Sequence, residues 1–266
     1  MAKVKKALSI FEKSEVEADL IIEAEDLSGE GAEPLSWEDG NFDAESPMSW
    51  WPTLSKSNYD FILISSKHAK ALLPYFKKTP NRIVEIKTFD ILIREHGEFW
   101  PHSILRDSIH MTIAEKYSAL DTSSTVYITG LGAKARVAIS VAVQMGFETV
   151  RIVTSTVSKS EVQELQRKYF GVRFELLDSG ALTIQTNDGS MLVNTLDLAN
   201  NQIVSEDMSY LNFLKSNSLI LDFNPVNVES ALKTEASNLG IDYISSAMIK
   251  DSYRRSLMQK VSSLKD

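Results

Sequence analysis

The chain has 266 residues, of which 43% are hydrophobic and 24% are charged, and it contains no cysteine. This composition is typical of a globular protein and excludes a disulfide framework, a thiolate metal site and a cysteine nucleophile. No run of about 18 apolar residues occurs, which excludes a membrane-spanning helix. The basic start and apolar residues 7–11 resemble a signal peptide, but the apolar part is short and ends at Glu12 and Lys13. We therefore expect no export and a cytoplasmic protein.

The net charge of −8 is unevenly distributed along the chain. The first fifty residues hold 13 of the 36 acidic residues and 4 of the 28 basic ones, so the remainder is close to neutral. The acidity belongs to a leader at residues 1–55, which argues against nucleic-acid binding there because phosphate neutralisation requires lysine and arginine. We interpret the leader as a solvated, partly irregular segment, with a partner-binding surface as the alternative.

The first half of the chain contains strands and helices around a long loop. Hydrophobic patterning predicts strands at 18–24, 59–65 and 81–92, helices at 67–76 and 104–120, and a loop at 29–52. Ser65 or Ser66 is a suitable N-cap for the helix at 67–76. The tryptophans of the loop, Trp37, Trp50 and Trp51, suggest that it packs against the protein.

The second half alternates regularly between strands and helices. Strands are predicted at 125–129, 150–154, 172–177, 191–195, 218–223 and 241–244, and helices at 133–145, 158–169, 228–239 and 254–264. Ser158 is predicted as the N-cap of the helix at 158–169, with Glu161 as its capping-box partner. Such alternation is typical of a parallel sheet with both faces covered. We predict an α/β protein with a Rossmann-like, doubly wound parallel sheet domain at residues 121–247. A smaller α/β N-terminal substrate domain at residues 1–120 would be completed by a C-terminal helix at 248–266.

A glycine-rich turn follows the first strand of the second half. The segment from Gly130 through Gly132 to Ala135 fits the pattern G-x-G-x-x-A between a predicted strand and a predicted helix. The first glycine permits a tight turn, the second lets a diphosphate approach the backbone, and the small third residue lets helix and strand pack closely. The diphosphate would bind free N–H groups at the helix N-terminus. The pattern predicts dinucleotide binding; the alternative is a tight turn without a ligand.

The end of the second strand, about 20 residues further on, indicates which dinucleotide is preferred. The chain reads Thr154-Ser155-Thr156-Val157-Ser158-Lys159, without the carboxylate that usually bonds the ribose 2′-hydroxyl of NAD. Hydroxyl groups and Lys159 can instead hold a 2′-phosphate. This favours NADP and leaves NAD possible. We expect Arg151, inside the strand, to point elsewhere.

Residues 124–252 resemble the shikimate dehydrogenase family. The family's GAGGAAR loop resembles residues 130–136, its IVNRT-x-x-K element resembles residues 152–159, and its VNAT strand resembles residues 193–195. Its D-x-x-YNP and GLGML segments resemble residues 221–225 and 245–249. The resemblance implies cofactor contacts from Gly130, Gly132, Ala133, Arg136, Thr154, Ser155, Thr156, Lys159, Thr195 and Met248.

The N-terminal half resembles the same family more weakly. The family's NVTIPHK strand end resembles residues 62–67, which places its catalytic lysine at Lys67, and its NTDG segment resembles residues 105–108, which places its catalytic aspartate at Asp107. The resemblance implies that this pair exchanges a proton with the substrate while a hydride moves to or from the nicotinamide.

Several family features are replaced in this chain. The substrate-carboxylate motif S-x-S-P-x-x-H-N is not recognisable near the N-terminus, the glycine of NTDG is Ser108, and the glutamine after GLGML is Ser252. Two functions remain open. The first is an NADP-dependent oxidoreductase acting on a small polar hydroxy or keto compound. The second is a catalytically inactive nucleotide-binding pseudoenzyme or interaction protein on the same fold.

Other chemistries find no support in the sequence. The spacings of His68, His96, His102 and His110 match no metal-ligand pattern, so we expect no metal site. Neither a G-x-S-x-G elbow nor a G-x-x-x-x-G-K-[ST] phosphate loop occurs, which argues against serine hydrolases and P-loop NTPases. We expect a small-molecule substrate, no nucleic acid or membrane partner, and a monomer or homodimer.

Overall fold

A computed structural model of the protein describes residues 5–10, 35–117, 120–154, 159–198, 206–208, 210–224 and 231–262. The chain divides into two compact units, each built around its own sheet. Unit 1 comprises residues 1–108 and 250–266, and unit 2 comprises residues 109–249. Among the described residues, no helix is both long enough and apolar enough to cross a membrane.

Unit 1 contains a mixed five-stranded sheet in the order β2-β1-β3-β4-β5. Its strands are β1 Lys5–Ile10, β2 Leu35–Gly40, β3 Phe61–Ile64, β4 Ile91–Glu95 and β5 Glu98–His102. β1 pairs in parallel with both β2 and β3, whereas β4 and β5 form an antiparallel hairpin on β3. β3 is buried along its whole length, as its uninterrupted apolar run requires.

Helices accompany the strands of unit 1. They are α1 Pro47–Leu54, α2 Ser66–Leu72 and α3 Asn81–Ile86, together with the first turn of α4 Ile104–Lys116 and most of α8 Ser246–Ser262. The predicted helix after β3 is confirmed: Ser65 is its N-cap and accepts a hydrogen bond from the His68 backbone N–H at 3.4 Å.

Three predictions in the first half need correction or fall outside the described residues. The loop predicted at 29–52 is wrong where β2 and α1 lie, although Trp50 and Trp51 do pack, against Phe42 and Phe76. The strand predicted at 81–92 is wrong over 81–86, which is helical. The strand predicted at 18–24 lies outside the described residues.

The error at 81–86 has a physical cause. The sequence RIVEI alternates like a strand, but it also places Ile83 and Ile86 three residues apart on one helical face, and these two are buried while Val84 is 50% exposed. Pro80 stands at the N-cap of the helix and Lys87 ends it with a left-handed φ of 55°. Burial of this face in unit 1 favours the helix over the strand.

Unit 2 contains a six-stranded, all-parallel sheet in the order β11-β10-β9-β6-β7-β8. The strands are β6 Thr125–Thr129, β7 Thr149–Val153, β8 Arg173–Leu177, β9 Gly189–Asn194, β10 Leu214–Asp222 and β11 Asp242–Ile244. The connecting helices described are α5 Ala133–Gln144, α6 Lys159–Lys168 and α7 Ala231–Leu239. The α/β prediction with a Rossmann-like parallel sheet is confirmed; the last helix begins at Ser246, earlier than the predicted residue 254.

A polar ladder crosses one face of this sheet. Arg151, in the middle of β7, donates from Nε to Glu175 Oε2 of β8 at 2.8 Å and from Nη1 to Asp188 Oδ2 at 2.6 Å. The hydroxyl of Tyr127 on β6 donates to Asp188 Oδ1 at 2.6 Å. Asp188 immediately precedes β9, so Arg151 reaches towards the amino end of the sheet, away from the turn after β6.

Gly189 allows the start of β9 to pack closely, which gives a stability prediction. A Cβ at this position would lie 2.7 Å from Tyr127 Cε2 and 3.0 Å from the Phe213 carbonyl oxygen, a backbone atom that cannot yield. We expect Gly189→Ala to lower the free energy of unfolding by about 1–3 kcal/mol, measured by urea denaturation. Gly132→Ala is the control, since its Cβ would meet nothing within 4 Å. Equal stability of the two variants would contradict the packing described.

Candidate functional site

The order of the strands in unit 2 changes direction between β6 and β9. β6, β7 and β8 extend to one side and β9, β10 and β11 to the other. In open α/β sheets, ligands bind outside the carboxyl ends of the strands at such a switch point. Here those ends are followed by Gly130, after β6, and Thr195, after β9.

The turn after β6 has the properties that a diphosphate site requires. Gly130 has a left-handed φ of 73°, and a Cβ on it would lie 3.0 Å from Leu196 Cδ2 and 3.4 Å from Thr195 Oγ1, so any other residue would be strained there. Gly132 is the N-cap of α5, carries no side-chain cap, and is exposed. The space where its Cβ would stand is open, so an anion can approach the backbone of the first turn of α5.

Two basic side chains occupy the beginning of α5, which has no acidic residue in its first turn. The ammonium of Lys134 lies 5.6 Å from the centre of the Phe223 ring, beyond the end of β10. Arg136 Nη2 lies 3.4 Å from Glu161 Oε1, whereas Nη1 is buried and has no hydrogen-bond partner. A buried donor without an acceptor costs about 1–3 kcal/mol, and a phosphate oxygen is a suitable acceptor. The residues present therefore fit the phosphate groups of a dinucleotide.

Buried hydrogen bonds connect the carboxyl ends of four neighbouring strands. Thr129 Oγ1 donates to Asn194 Oδ1 at 2.8 Å, and Asn194 Nδ2 donates to Asp222 Oδ1 at 2.9 Å. The Tyr243 hydroxyl, on β11, donates to Asp222 Oδ2 at 2.7 Å, and the Asn224 backbone N–H donates to Asp222 Oδ1 at 3.0 Å. These bonds fix the strand ends beside the glycine turn.

The structure also places the two predicted proton-transfer residues in unit 1. Lys67 is exposed in the first turn of α2. Its positive charge contributes to a lowered pKa of Asp43, whose main cause is the hydrogen bond from the Glu45 backbone N–H at 2.9 Å. Asp107 lies in the first turn of α4, is 59% exposed, and is 3.4 Å from Nη1 of the buried Arg106. The two residues thus stand on different helices, and their pairing remains a prediction.

A carboxylate that the sequence analysis did not single out lies just before β4. Asp90 accepts hydrogen bonds from the backbone N–H groups of Ile104 at 2.8 Å and Leu105 at 3.0 Å, and from Ser103 Oγ at 3.0 Å. The hydroxyl of Tyr253, on α8, donates to it at 3.3 Å. Asp90 therefore caps α4 from outside that helix and connects it to α8.

Asp90 also adjoins the carboxyl end of β3, where α2 and Lys67 begin. The Ile64 backbone N–H donates to the Asp90 carbonyl oxygen at 3.0 Å. Burial raises the pKa of the Asp90 carboxyl to about 7, although the surrounding donors lower it. The only sequence signal for this residue was an acidic side chain directly before an apolar strand.

Comparisons with known proteins bear on the whole chain. No protein-family model matches it, and no curated protein sequence does. The shikimate 5-dehydrogenase of Thermus thermophilus in complex with NADP(H) and shikimate matches with a TM-score of 0.73 at 12% identity, over 99% of this chain and 95% of that one. That of Listeria monocytogenes, in complex with shikimate and NAD, matches with a TM-score of 0.78 at 11% identity, over 98% and 93%. The chain has the fold of the shikimate 5-dehydrogenases.

The same fold is found in an enzyme with a different name. The ligand-free 5-ketofructose reductase of Gluconobacter sp. strain CHM43 matches with a TM-score of 0.76 at 12% identity, over 99% of this chain and 95% of that one. The resemblance predicted from the sequence is thus confirmed for the fold, while the identities leave the reaction and the substrate to be proposed.

Within the shikimate 5-dehydrogenase fold, the predicted cofactor residues beside the switch point are brought together. Thr195 adjoins Gly130, and its Oγ1 donates to the Thr129 carbonyl oxygen at 2.5 Å. Ala133, the first residue of α5, is half-buried beside Gly132.

The remaining predicted cofactor residues lie on other elements. Thr154 is buried after β7, with its N–H bonded to the Leu177 carbonyl oxygen, and Lys159 is exposed at the start of α6. Met248 is half-buried in the first turn of α8. Ser155 and Thr156 lie outside the described residues, as does Ser158, the predicted N-cap of α6.

From the sequence, Glu161 is predicted only as the capping-box partner of Ser158, at the start of the helix at 158–169. The structure places its carboxylate against Arg136. A search for an acid at the strand end could not find it, because Glu161 lies in the first turn of the following helix.

The raised pKa of Asp90 gives a prediction for the pH dependence of stability. The pKa of Asp90 is raised in the folded state, so its favourable contribution is complete below about pH 4 and is lost progressively as the pH rises to about 7. We expect the free energy of unfolding to fall by about 2–3 kcal/mol between pH 5 and pH 8, measured by urea denaturation. Asp90→Asn removes the titrating group and should flatten this slope whatever its own stability. An unchanged slope in the variant would assign the pH dependence to other groups.

In the described part of the chain, no group of three or more histidine or acidic side chains is arranged to hold a metal ion. His68 has a structural environment: Nδ1 lies 2.8 Å from Ser65 Oγ and Nε2 lies 2.7 Å from the Phe42 carbonyl oxygen. Its ring therefore links the start of α2 to the segment before α1.

Proposed function

We propose that the protein is an oxidoreductase that binds NADP, with NAD as a weaker alternative, and transfers a hydride between the nicotinamide and a small polar hydroxy or keto compound. The observation that carries this proposal is the open, uncapped N-terminus of α5 beside Gly132, at the switch point of a parallel sheet. Structures of the same fold hold NADP(H) or NAD together with shikimate, and another is named a 5-ketofructose reductase.

The chain's own residues would hold the dinucleotide as follows. The diphosphate is bound by the backbone N–H groups after Gly132, to which Gly130 and Gly132 give access. Arg136 offers its buried Nη1, which has no acceptor, to a phosphate oxygen. A 2′-phosphate is favoured by Lys159 and by the hydroxyl groups of Thr154, Ser155 and Thr156. Thr195 and Met248 complete the proposed contacts. The bound nicotinamide supplies or accepts the hydride.

Lys67 and Asp107 are proposed to move the proton that accompanies the hydride. In the reduction direction, the hydride goes to the carbonyl carbon and the Lys67 ammonium gives a proton to the carbonyl oxygen, forming a hydroxyl group. The Asp107 carboxylate stabilises the ammonium form of Lys67, from which this proton leaves. In the oxidation direction, the same groups remove the hydroxyl proton.

A second function is favoured by one observation at the NTDG-like segment. Ser108, which replaces the family's glycine, is buried and donates from Oγ to the Ile104 carbonyl oxygen at 2.7 Å, while Asp107 contacts Arg106. A chain in which Asp107 only pairs with Arg106 would bind the nucleotide without catalysing the reaction. We therefore propose a nucleotide-binding pseudoenzyme or interaction protein as the alternative.

Nucleotide binding can be tested separately from catalysis. We expect NADPH to bind the wild-type protein with a micromolar Kd, more tightly than NADH, as measured by nicotinamide fluorescence. Gly132→Ala should weaken NADPH binding at least about tenfold, because its methyl group enters the space through which the diphosphate approaches. Its melting temperature should fall by no more than a few degrees, since that space is open and only the preference of the N-cap position for glycine is lost. Gly180→Ala, on a helical turn after β8, is the control. No binding of either nucleotide would refute the oxidoreductase and the nucleotide-binding pseudoenzyme, and would leave the interaction protein.

Catalysis is tested by following reduced nicotinamide in a shikimate oxidation assay and then with other small hydroxy compounds. Lys67→Ala and Asp107→Asn should each lower kcat by about 100-fold or more, with the Kd for NADPH within about twofold of the wild type. Lys70→Ala, later on the same helix, is the control. Turnover that survives both substitutions would exclude this pair. NADPH binding without turnover of any compound would favour the pseudoenzyme.

A further inference from the structure

An ion pair joins α5, which begins at the glycine turn, to α6, which is the helix that follows β7. Arg136 of α5 and Glu161 of α6 approach to 3.4 Å between Nη2 and Oε1. The arginine side chain is 14% exposed and the glutamate side chain 42% exposed. Because β6 and β7 are neighbouring parallel strands, both residues belong to the carboxyl edge of the sheet. The end of β7 is the edge at which the ribose 2′ group of a dinucleotide is distinguished.

The two ends of the Arg136 guanidinium have different surroundings. Nη2 has the Glu161 carboxylate, whereas Nη1 is buried without a partner. A guanidinium binds phosphate best through two parallel N–H groups, so a phosphate that satisfies Nη1 competes with Glu161 for Nη2. The 3.4 Å contact is long for a charge-assisted hydrogen bond, and the Glu161 side chain is 42% exposed, so water can solvate the carboxylate when it leaves Arg136. A ligand phosphate can therefore displace the carboxylate.

We propose that Glu161 is a specificity-determining residue, which competes with the 2′-phosphate of NADP for Arg136 and so limits the preference of this site for NADP over NAD. The inference rests on the proposed dinucleotide function. The repulsion follows from charge: a phosphate ester carries about −1.5 to −2 at neutral pH and stands against a carboxylate, whereas the neutral 2′-hydroxyl of NAD is not repelled. The strand end itself offers no carboxylate among the described residues 149–154, so Glu161 supplies the negative charge from the following helix.

The test is a fluorescence titration of NADPH and of NADH with wild-type protein, Glu161→Gln, Arg136→Met and the double variant. Glu161→Gln should lower the Kd for NADPH about three- to tenfold and change that for NADH less than about twofold. Arg136→Met should raise the Kd for NADPH about tenfold or more, since it removes a charge-assisted hydrogen bond to phosphate. In the double variant the gain from Glu161→Gln should disappear, because its effect acts through Arg136.

A matched control separates this local effect from a change in net charge. Glu164 lies on the same helix and pairs with Lys168 at 2.9 Å, so Glu164→Gln removes one negative charge without releasing Arg136. An equal gain in NADPH affinity from Glu164→Gln would overturn the inference. So would NADPH binding that is unchanged or weaker in Glu161→Gln while the wild type binds the nucleotide. A wild-type protein that binds neither NADPH nor NADH would overturn the proposed function, and this inference with it.

Discussion

The reversal of strand order between β6 and β9 is the constraint on which the candidate nucleotide site depends. Two parallel strands whose connections leave in opposite directions open a space at their carboxyl ends. This space persists only if the strand ends are held in register. In this protein Thr129, Asn194 and Asp222 hold them through buried hydrogen bonds. Because each of these groups is buried, loss of one partner would leave another unsatisfied, so the arrangement is strongly specified.

At this edge of the sheet the backbone determines the shape of the candidate site, and the side chains determine its charge. The two glycines determine the shape of the turn. Gly130 adopts a conformation that is unfavourable for other residues, and Gly132 leaves space beside the N-terminus of α5. Lys134 and Arg136 provide positive charge at a helix end that already carries a partial positive charge. Glu161 faces the Nη2 side of Arg136, whereas the buried Nη1 has no acceptor. This unsatisfied donor is the physical argument for a phosphate-bearing ligand rather than an empty turn.

The fold could be predicted where each element carries its own periodic signal. The apolar strands of unit 2 and their amphipathic helices satisfy this condition, and the structure confirms them. Residues 81–86 do not, because their pattern fits both a strand and a helix and only burial in unit 1 decides between them. β2, predicted as loop, is a short strand at Leu35–Gly40 at the edge of the described sheet, and its sequence LSWEDG ends in two acidic residues and a glycine, which are typical of a loop.

The site was predictable to the extent that its residues are neighbours in sequence. The glycine turn is a local motif, and its conformation follows from it. Asp90 and Glu161 act on residues of other elements, 14 and 25 positions away, and nothing in their immediate sequence indicates this. Both are acids that receive donors in the folded chain: Asp90 the N-terminus of α4, and Glu161 the guanidinium of α5. A search for acids at the carboxyl ends of strands overlooks both, because Asp90 precedes its strand and Glu161 lies in the first turn of a helix. Negative charge is favourable at the start of a helix as well. In this fold the charges that tune a site therefore need not lie in the motif that defines it.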